Sequence, residues 1–216
     1  MQVTNQLLAT SHNPYQNEAI NKMYNQLFCD NTEVYETTTG ATEYPWNILF
    51  AENPNIEQLK AVTVDETLQS RHKILAYNIL AAIGAPADKK ELLGVIIEVA
   101  LPEGLDVIAA FQDGTARYIN YSEKLLIWET ETAESRELIS KLFSDSLNVV
   151  GKIGAWDKER LPSPANEKVR LSFLVSDGLY FGEGPFDFLQ KDPMGGPVIG
   201  SAAALMNFLI ESVVNK

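Results

Sequence analysis

The chain has 216 residues, of which 45% are hydrophobic and 21% are charged, as in an ordinary globular protein. Its 17 basic and 29 acidic residues give a formal net charge of −12. This composition excludes a disordered chain, a collagen and a disulfide scaffold. Because the charge repels phosphates and anionic lipids, we expect no nucleic-acid partner and no membrane partner. The acidity has two interpretations: it keeps the protein soluble, or it attracts a basic protein partner.

The compartment is inferred from three features. The single cysteine, Cys29, cannot form an internal disulfide, which favours a reducing compartment. Residues 1–10 contain no Lys or Arg and no long apolar core, so they do not resemble a signal peptide. The longest apolar run, residues 198–210, is shorter than the ~20 residues that span a bilayer. We therefore expect a soluble, cytoplasmic protein.

The N-terminal third has the signals of three helices. An Asn-Pro pair at residues 13–14 predicts one helix start, and a second pair at residues 53–54 predicts another. The sequence of residues 63–66 fits a capping box and predicts a third helix. Gly84 follows the last apolar position of that helix and is expected to end it in a left-handed conformation.

Beyond residue 90 the apolar residues recur with a period of two, which predicts strands. The pair Asp113-Gly114 predicts a two-residue hairpin loop that places Phe111 opposite Ala116. In that register one sheet face belongs to the core and the other is only half covered. The half-covered face is predicted to carry Asp106, Ile108, Ala110, Gln112, Thr115, Arg117 and Ile119.

A second Asp-Gly pair, at residues 177–178, predicts another hairpin within residues 168–183. Both faces of this strand pair are apolar, so we expect both strands to lie in the middle of the sheet. Long apolar-striped helices are predicted at residues 132–150 and 198–215.

Together these elements predict an α+β fold. N-terminal helices are followed by a mostly antiparallel sheet of about six strands, flanked by two long helices. We expect one domain over residues 1–216, in which the helical residues 1–85 pack on the sheet-containing residues 90–216.

Signatures of catalysis and of metal binding are missing from the sequence. The two histidines are His12, in a polar segment, and His72, which we expect to be a core or boundary residue of its helix. Cys29 is expected to be a small buried side chain, and there is no G-x-S-x-G motif. The ligand spacings of zinc and EF-hand calcium sites are also missing. The sequence therefore assigns no catalytic residue, metal or cofactor, and leaves open whether the protein is an enzyme.

Residues 195–200 have the glycine spacing of a phosphate-binding loop, but Ser201 and Ala202 follow where that loop needs Lys and Ser or Thr. Two interpretations remain. The backbone N–H groups at the start of the last helix could bind a small anion. Alternatively, the glycines only turn the chain and Pro197 starts the helix.

The segment around these glycines combines aromatic, acidic, glycine and proline residues, a mixture frequent in binding loops. Phe186 and Phe188 could instead fill the core. The candidate ligand- or partner-binding residues are Gly182, Glu183, Gly184, Phe186, Asp192, Gly195 and Gly196.

Two functional hypotheses follow. The first is a non-enzymatic protein-interaction or regulatory module, acting on a protein partner or as a homodimer, that uses loop 182–197 or the half-covered sheet face. The alternative is a binding protein or enzyme for a small-molecule anion at residues 195–200, with Glu183 or Asp192 as the base. The alternative predicts that Gly196→Val abolishes binding without unfolding the protein. A deep pocket at the loop favours the anion site, and a flat apolar patch favours the interaction module.

Overall fold

The computed structural model describes residues 9–36 and 42–214. It has an α+β fold, as the sequence predicts. The N-terminal part contains five helices within the described residues: α1 (Glu18–Phe28), α2 (Glu33–Glu36), α3 (Trp46–Leu49), α4 (Ile56–Val64) and α5 (Ser70–Ala82). Residues 1–8, the first part of the predicted helical region, lie outside the described residues.

The first two predicted helix starts are wrong by a few residues. Helix α1 is capped by Asn17, whose side chain accepts a hydrogen bond from the backbone N–H of Ala19. The predicted start at residues 13–14 fails because the Asn21 side chain hydrogen bonds to both backbone groups of Tyr15 and holds that segment outside the helix. Helix α4 is capped by Asn55, two residues after the predicted Asn53.

The capping box predicted at residues 63–66 does not form. Thr63 lies inside α4, where its hydroxyl donates a hydrogen bond to the carbonyl of Lys60. Helix α5 begins at Ser70, whose backbone N–H donates to Asp113 Oδ2 at 2.6 Å. The cap therefore comes from a residue 43 positions away, which a local pattern cannot show. The predicted end is correct, since Gly84 has a positive φ of 79°.

Six strands form one sheet in which every pairing is antiparallel: β1 (Leu92–Leu101), β2 (Gly104–Phe111), β3 (Ala116–Ile119), β4 (Leu125–Trp128), β5 (Lys168–Val175) and β6 (Gly178–Pro185). Their order is β4-β3-β2-β1-β5-β6. Strand β6 is thus an edge strand, which corrects the expectation that both strands of the second hairpin are central. Its apolar residues are covered by helices and by the connector before β5 rather than by further strands.

The β2–β3 hairpin differs from its prediction by one residue. Ala110, not Phe111, pairs with Ala116, because the loop has three residues, 112–114. Gly114 N–H donates to the Phe111 carbonyl, and Gly114 has a φ of 84°. This is the three-residue loop in which a turn is followed by a left-handed residue.

That single-residue shift moves every β3 side chain to the opposite face. Arg117 and Ile119 therefore join Phe111 on the face that we call the N-terminal face, because it packs against the N-terminal helices. Ala116 and Tyr118 join Ile108 on the opposite, C-terminal face. The predicted membership of the two faces is wrong for β3 and correct for β2.

Three further helices follow the first four strands in the described chain: α6 (Ala133–Val150), α7 (Phe186–Leu189) and α8 (Gly195–Val214). The two long helices pack together on the C-terminal face. The residues that bury this face are Ile139, Leu142 and Val149 of α6 and Val198, Leu205 and Leu209 of α8. The face predicted to be half covered is therefore largely covered, except for a groove beside α8.

Candidate functional site

The seven candidate residues do not form one loop. Strand β6 extends to Pro185, so the predicted loop 182–197 is shorter than expected, and its first residues are paired with β5. By position, three residues lie in β6, one starts α7, one precedes α8 and two begin α8: Gly182, Glu183, Gly184, Phe186, Asp192, Gly195 and Gly196.

Asp192 caps the last helix. Its Oδ1 accepts hydrogen bonds from the backbone N–H groups of Gly195 at 2.8 Å and Met194 at 2.9 Å. These bonds lower the pKa of the Asp192 carboxyl, which is therefore ionised at neutral pH. The anion hypothesis places the negative charge of a ligand at this helix start. The Asp192 carboxylate already supplies a negative charge there, so the geometry favours a structural role for Asp192.

Glu183 is held by two cations. Its carboxylate accepts hydrogen bonds from Arg170 Nη2 at 2.5 Å and from Lys168 Nζ at 3.1 Å. Burial alone would raise the pKa of Glu183, but the bonds from Arg170 and Lys168 outweigh burial and lower it. An ionised, doubly paired carboxylate is a poor general base, so this geometry also favours a structural role.

Sequence reasoning missed the buried carboxylate beside that pair. Glu98 is 0% exposed and lies on the N-terminal face of β1. Its Oε1 accepts a hydrogen bond from the Tyr24 hydroxyl at 2.7 Å, and its Oε2 lies 3.7 Å from Arg170 Nη1. In the sequence, Glu98 is a lone Glu inside an apolar strand. The period-two pattern alone does not show whether such a residue is buried or faces solvent. This network joins α1 to the sheet.

Cys29 and His72, the groups weighed for catalysis, are packed in the N-terminal core. Burial raises the pKa of the Cys29 thiol to about 12, so the thiol is not a nucleophile at neutral pH. The half-buried His72 ring lies edge-on to Trp46 at 4.8 Å, and its Nδ1 has no hydrogen-bond partner in the described structure. The surroundings of Cys29 and His72 therefore favour a structural role for both residues.

His72 is expected to make the stability of the fold depend on pH in the acidic range. Burial, followed by repulsion from Arg71, lowers the pKa of His72 from 6.5 to about 4. Below pH 6.5 the unfolded chain binds a proton that the folded protein excludes, so stability falls as the pH drops towards 4. We expect His72 to lower the free energy of unfolding by about 1–2 kcal/mol between pH 7 and pH 4. This is less than the whole pKa shift would give, because the partly exposed ring is screened by water. Urea unfolding of His72→Phe should show a pH dependence weaker by this amount; an unchanged curve would contradict the assignment.

An apolar groove of about 200 Å³ remains on the C-terminal face, between the sheet and α8. Strand residues, residues of α8 and Phe186 of α7 line it. The lining residues are Ile97, Val99, Asp106, Ile108, Tyr118, Phe186, Ile199, Ala202, Ala203 and Met206. The Asp106 carboxylate and the Tyr118 hydroxyl are the polar side-chain groups of this lining, and they hydrogen bond to each other at 3.0 Å.

The groove brings together the two elements that the interaction hypothesis named separately. Asp106 and Ile108 belong to the face predicted to be half covered, and Phe186 belongs to the late segment. Sequence reasoning missed Tyr118, which the register shift moves onto this face, and Ala203, whose small side chain leaves the groove open. Phe188, the other aromatic residue of the segment, is 69% exposed and does not fill the core.

Helix α8 is unusually apolar for a helix with an exposed side. Its residues 195–213 are long and apolar enough to cross a membrane by length and composition, yet only 28% of them are buried. The apolar run read from the sequence, residues 198–210, is interrupted by Ser201 and Asn207, and the helix extends beyond that run at both ends. The buried residues of α8 pack against the sheet, so crossing a bilayer would require α8 to leave the core.

Comparison with known proteins finds no matching family model, no similar curated protein and no similar solved structure.

Proposed function

We propose that the protein is a non-enzymatic interaction module that binds a basic amphipathic helix of a partner protein in the apolar groove. The observation that carries this proposal is the groove itself, an apolar surface with a single charged group, Asp106, in its lining. Apolar side chains on one face of a partner helix fit such a groove in a recurring mode of peptide recognition. The volume suits a few aliphatic side chains rather than a large cofactor.

Charge supports a basic partner. Asp106 accepts hydrogen bonds from the Tyr118 hydroxyl and the Tyr121 backbone N–H, both neutral donors, and no ion pair of Asp106 occurs within the described residues. Asp187, next to the groove residue Phe186, is exposed. With a net charge of −12 on the chain, Lys and Arg side chains flanking an apolar stripe would be attracted to this edge.

A pair of alanines on α8 gives a matched test. Ala203 and Ala204 are both exposed, but only Ala203 lines the groove. The probe is a labelled peptide of about 18 residues, or five helical turns, with Leu on one face and Lys on the other. We expect Ala203→Trp to fill the groove and weaken binding at least about tenfold, which corresponds to about 1.4 kcal/mol. Ala204→Trp should change affinity less than about twofold, since single exposed substitutions have small effects.

Three results would contradict the proposal. The first is equal binding of a peptide in which Glu replaces every Lys. The second is equal affinity of the Ala203→Trp protein and the wild type. The third is another occupant of the groove: a dimer in sedimentation velocity that Ala203→Trp dissociates, or association with neutral phospholipid vesicles that Ala203→Trp abolishes.

A further inference from the structure

Strand β4 leaves one edge of the sheet open. Among the described strands it pairs with β3 alone, at the end of the strand order. The opposite edge is covered, because the Trp156 backbone N–H of the connector before β5 donates a hydrogen bond to the Leu179 carbonyl of β6 at 2.7 Å. Strand β6 also ends in Gly184 and Pro185, which weaken strand pairing. An open edge, in contrast, is a template for pairing with another strand.

The backbone of β4 directs hydrogen-bonding groups to this open edge. The Asn120 backbone N–H donates to the Lys124 carbonyl at 3.0 Å, so these two residues form a hydrogen-bonded pair. Hydrogen-bonded and non-hydrogen-bonded pairs alternate along antiparallel strands. Leu126 therefore points its backbone groups towards β3. Leu125 and Ile127 point theirs away from β3, to the open edge.

The side chains of β4 lack the features that protect many edge strands. Residues 125–128 are Leu-Leu-Ile-Trp, with no charged residue and no proline, and their pairing with β3 has no register shift. Ile127 is 53% exposed. Very short edge strands offer little to pair with, and β4 has four residues, so we expect pairing through this edge to be reversible.

The edge is complementary to a second copy of itself. When two β4 strands pair antiparallel about a two-fold axis at Leu126, Leu125 of one copy lies opposite Ile127 of the other, and the two exchange backbone hydrogen bonds. Lys124 lies opposite Trp128 of the second copy. An ammonium group over an indole ring is attracted to it, and no ion pair of Lys124 occurs in the part of the chain described.

Two carboxylates lie at the ends of this pairing. Glu123 lies opposite Glu129 of the second copy in the same register. Glu123 accepts hydrogen bonds from the backbone N–H groups of Gln16 and Asn17, and Glu129 forms an ion pair with Arg117 at 2.6 Å. The charge of Arg117 offsets that of Glu129, so the repulsion between the two carboxylates across the pairing is reduced.

A two-fold axis at Ile127 is an alternative that the outward backbone groups also allow. It would place the apolar Leu125 opposite the charged Glu129 of the second copy, and Lys124 opposite Thr130. The register at Leu126 instead places apolar residues opposite each other, which is the more favourable cross-strand pairing.

We propose that the protein forms a homodimer by antiparallel pairing of two β4 strands about a two-fold axis at Leu126. The pairing joins two six-stranded sheets into one continuous sheet. No β4 residue lines the apolar groove, so the dimer is independent of the proposed interaction function. Because so short an edge buries less than the ~1,200 Å² of stable interfaces, we expect a dissociation constant on the order of 10 μM.

Sedimentation equilibrium of the wild-type protein at about 1–300 μM tests the dimer. Two chains of net charge −12 repel each other, so the runs are made at about 0.3 M salt, which shortens the range of this repulsion. We expect a reversible equilibrium of monomer and dimer. A protein that stays monomeric over the whole concentration range would overturn the proposal.

Two substitutions that add the same charge form a matched pair. Ile127 and Leu147 are both 53% exposed. Ile127→Glu places a carboxylate at the open edge, opposite Arg117 of its own chain, so it should weaken dimerisation at least about tenfold and leave the monomer folded. Leu147→Glu, on α6, should change the dissociation constant less than about twofold. Equal dissociation constants of the two variants would contradict pairing through β4.

The groove variant separates the two proposals of binding surfaces. Ala203→Trp alters the apolar groove and should leave the wild-type dimerisation unchanged. A dimer that Ala203→Trp dissociates and Ile127→Glu leaves intact would lie at the groove and would overturn the edge pairing.

Cysteine cross-linking tests the register. At the two-fold axis the two Leu126 residues form a non-hydrogen-bonded pair, whose Cα atoms lie about 4.5 Å apart, within the range of a disulfide. With oxidised glutathione as the oxidant, we expect Leu126→Cys to form a disulfide-linked dimer and Ile127→Cys to form much less. The natural Cys29 is 0% exposed and should not react. Cross-linking of Ile127→Cys alone would overturn the register, and no cross-linking of either variant would overturn the dimer.

Discussion

Replacing Arg170 by methionine is expected to lower the free energy of unfolding by about 3–5 kcal/mol at neutral pH. The substitution removes the cation that lies 3.7 Å from Glu98 Oε2, and Glu98, which is 0% exposed, keeps the hydrogen bond from the Tyr24 hydroxyl. An ionised carboxylate that is buried without a cation is strongly destabilising. Chemical denaturation of the wild type and the variant at pH 7.5 measures the difference.

Arg117 provides the matched control. Its side chain is 2% exposed, but its ion-pair partner Glu129 is 55% exposed and can be hydrated when the arginine is removed. We therefore expect Arg117→Met to cost less than half as much as Arg170→Met. Equal losses in the two variants would show that buried arginine packing, rather than the orphaned Glu98, determines the cost.

The decrease in the free energy of unfolding caused by Arg170→Met should depend on pH. Burial already raises the pKa of Glu98, and removal of Arg170 should raise it further. A raised carboxyl pKa means that the folded state binds more protons than the unfolded state, so stability falls as the pH rises above about 4.3. The difference between the variant and the wild type should accordingly be larger at pH 7.5 than at pH 4.5. Adding Glu98→Gln to the variant should recover about 2 kcal/mol at pH 7.5; no recovery would contradict this mechanism.

Replacing Gly196 by valine is expected to destabilise the protein by about 3 kcal/mol, the upper part of the range for overpacking. A Cβ atom at this position would lie 2.6 Å from the backbone carbonyl oxygen of Gln190, which cannot rotate away as a side chain could. This geometry argues against the sequence-based expectation that Gly196→Val would leave the fold intact. Loss of ligand binding in that variant would consequently not identify an anion site.

Gly200, four residues further along α8, is the control for Gly196. A Cβ atom there meets nothing within 4 Å, so Gly200→Ala should stabilise the helix by about 0.5–1 kcal/mol. Thermal unfolding of the two variants should give shifts of opposite sign. A Gly196→Val protein as stable as the wild type would show that the α7–α8 turn relaxes more readily than its geometry indicates.

Local patterns predicted the elements whose causes are local. The helix expected from about Thr132 has its cap there, because the Thr132 and Ser135 side chains each bond to the other's backbone. Gly84 ends α5 as predicted, since a left-handed position favours glycine. Strand β5, Lys168–Val175, also lies where the alternating pattern predicted a strand.

Features that depend on distant residues were not predictable from those patterns. The start of α5 depends on the Asp113 carboxylate, and the register of β3 depends on whether the Asp-Gly loop has two or three residues. A two-residue loop and a three-residue loop both fit the same sequence. The difference of one residue in loop length moves the β3 side chains from one face of the sheet to the other. For the groove, the sequence indicated Phe186 and the Ile108 face, but the contribution of Ala203 requires the position of α8.

The groove is tested most directly by methyl NMR of the isoleucine residues during titration with the Leu–Lys peptide. We predict saturable shifts of the methyl signals of Ile97, Ile108 and Ile199, which line the groove, and none at Ile74, which lies on the opposite face. Saturable shifts at Ile74 with none at the three groove isoleucines, or no shifts at any isoleucine, would contradict the groove as the binding surface.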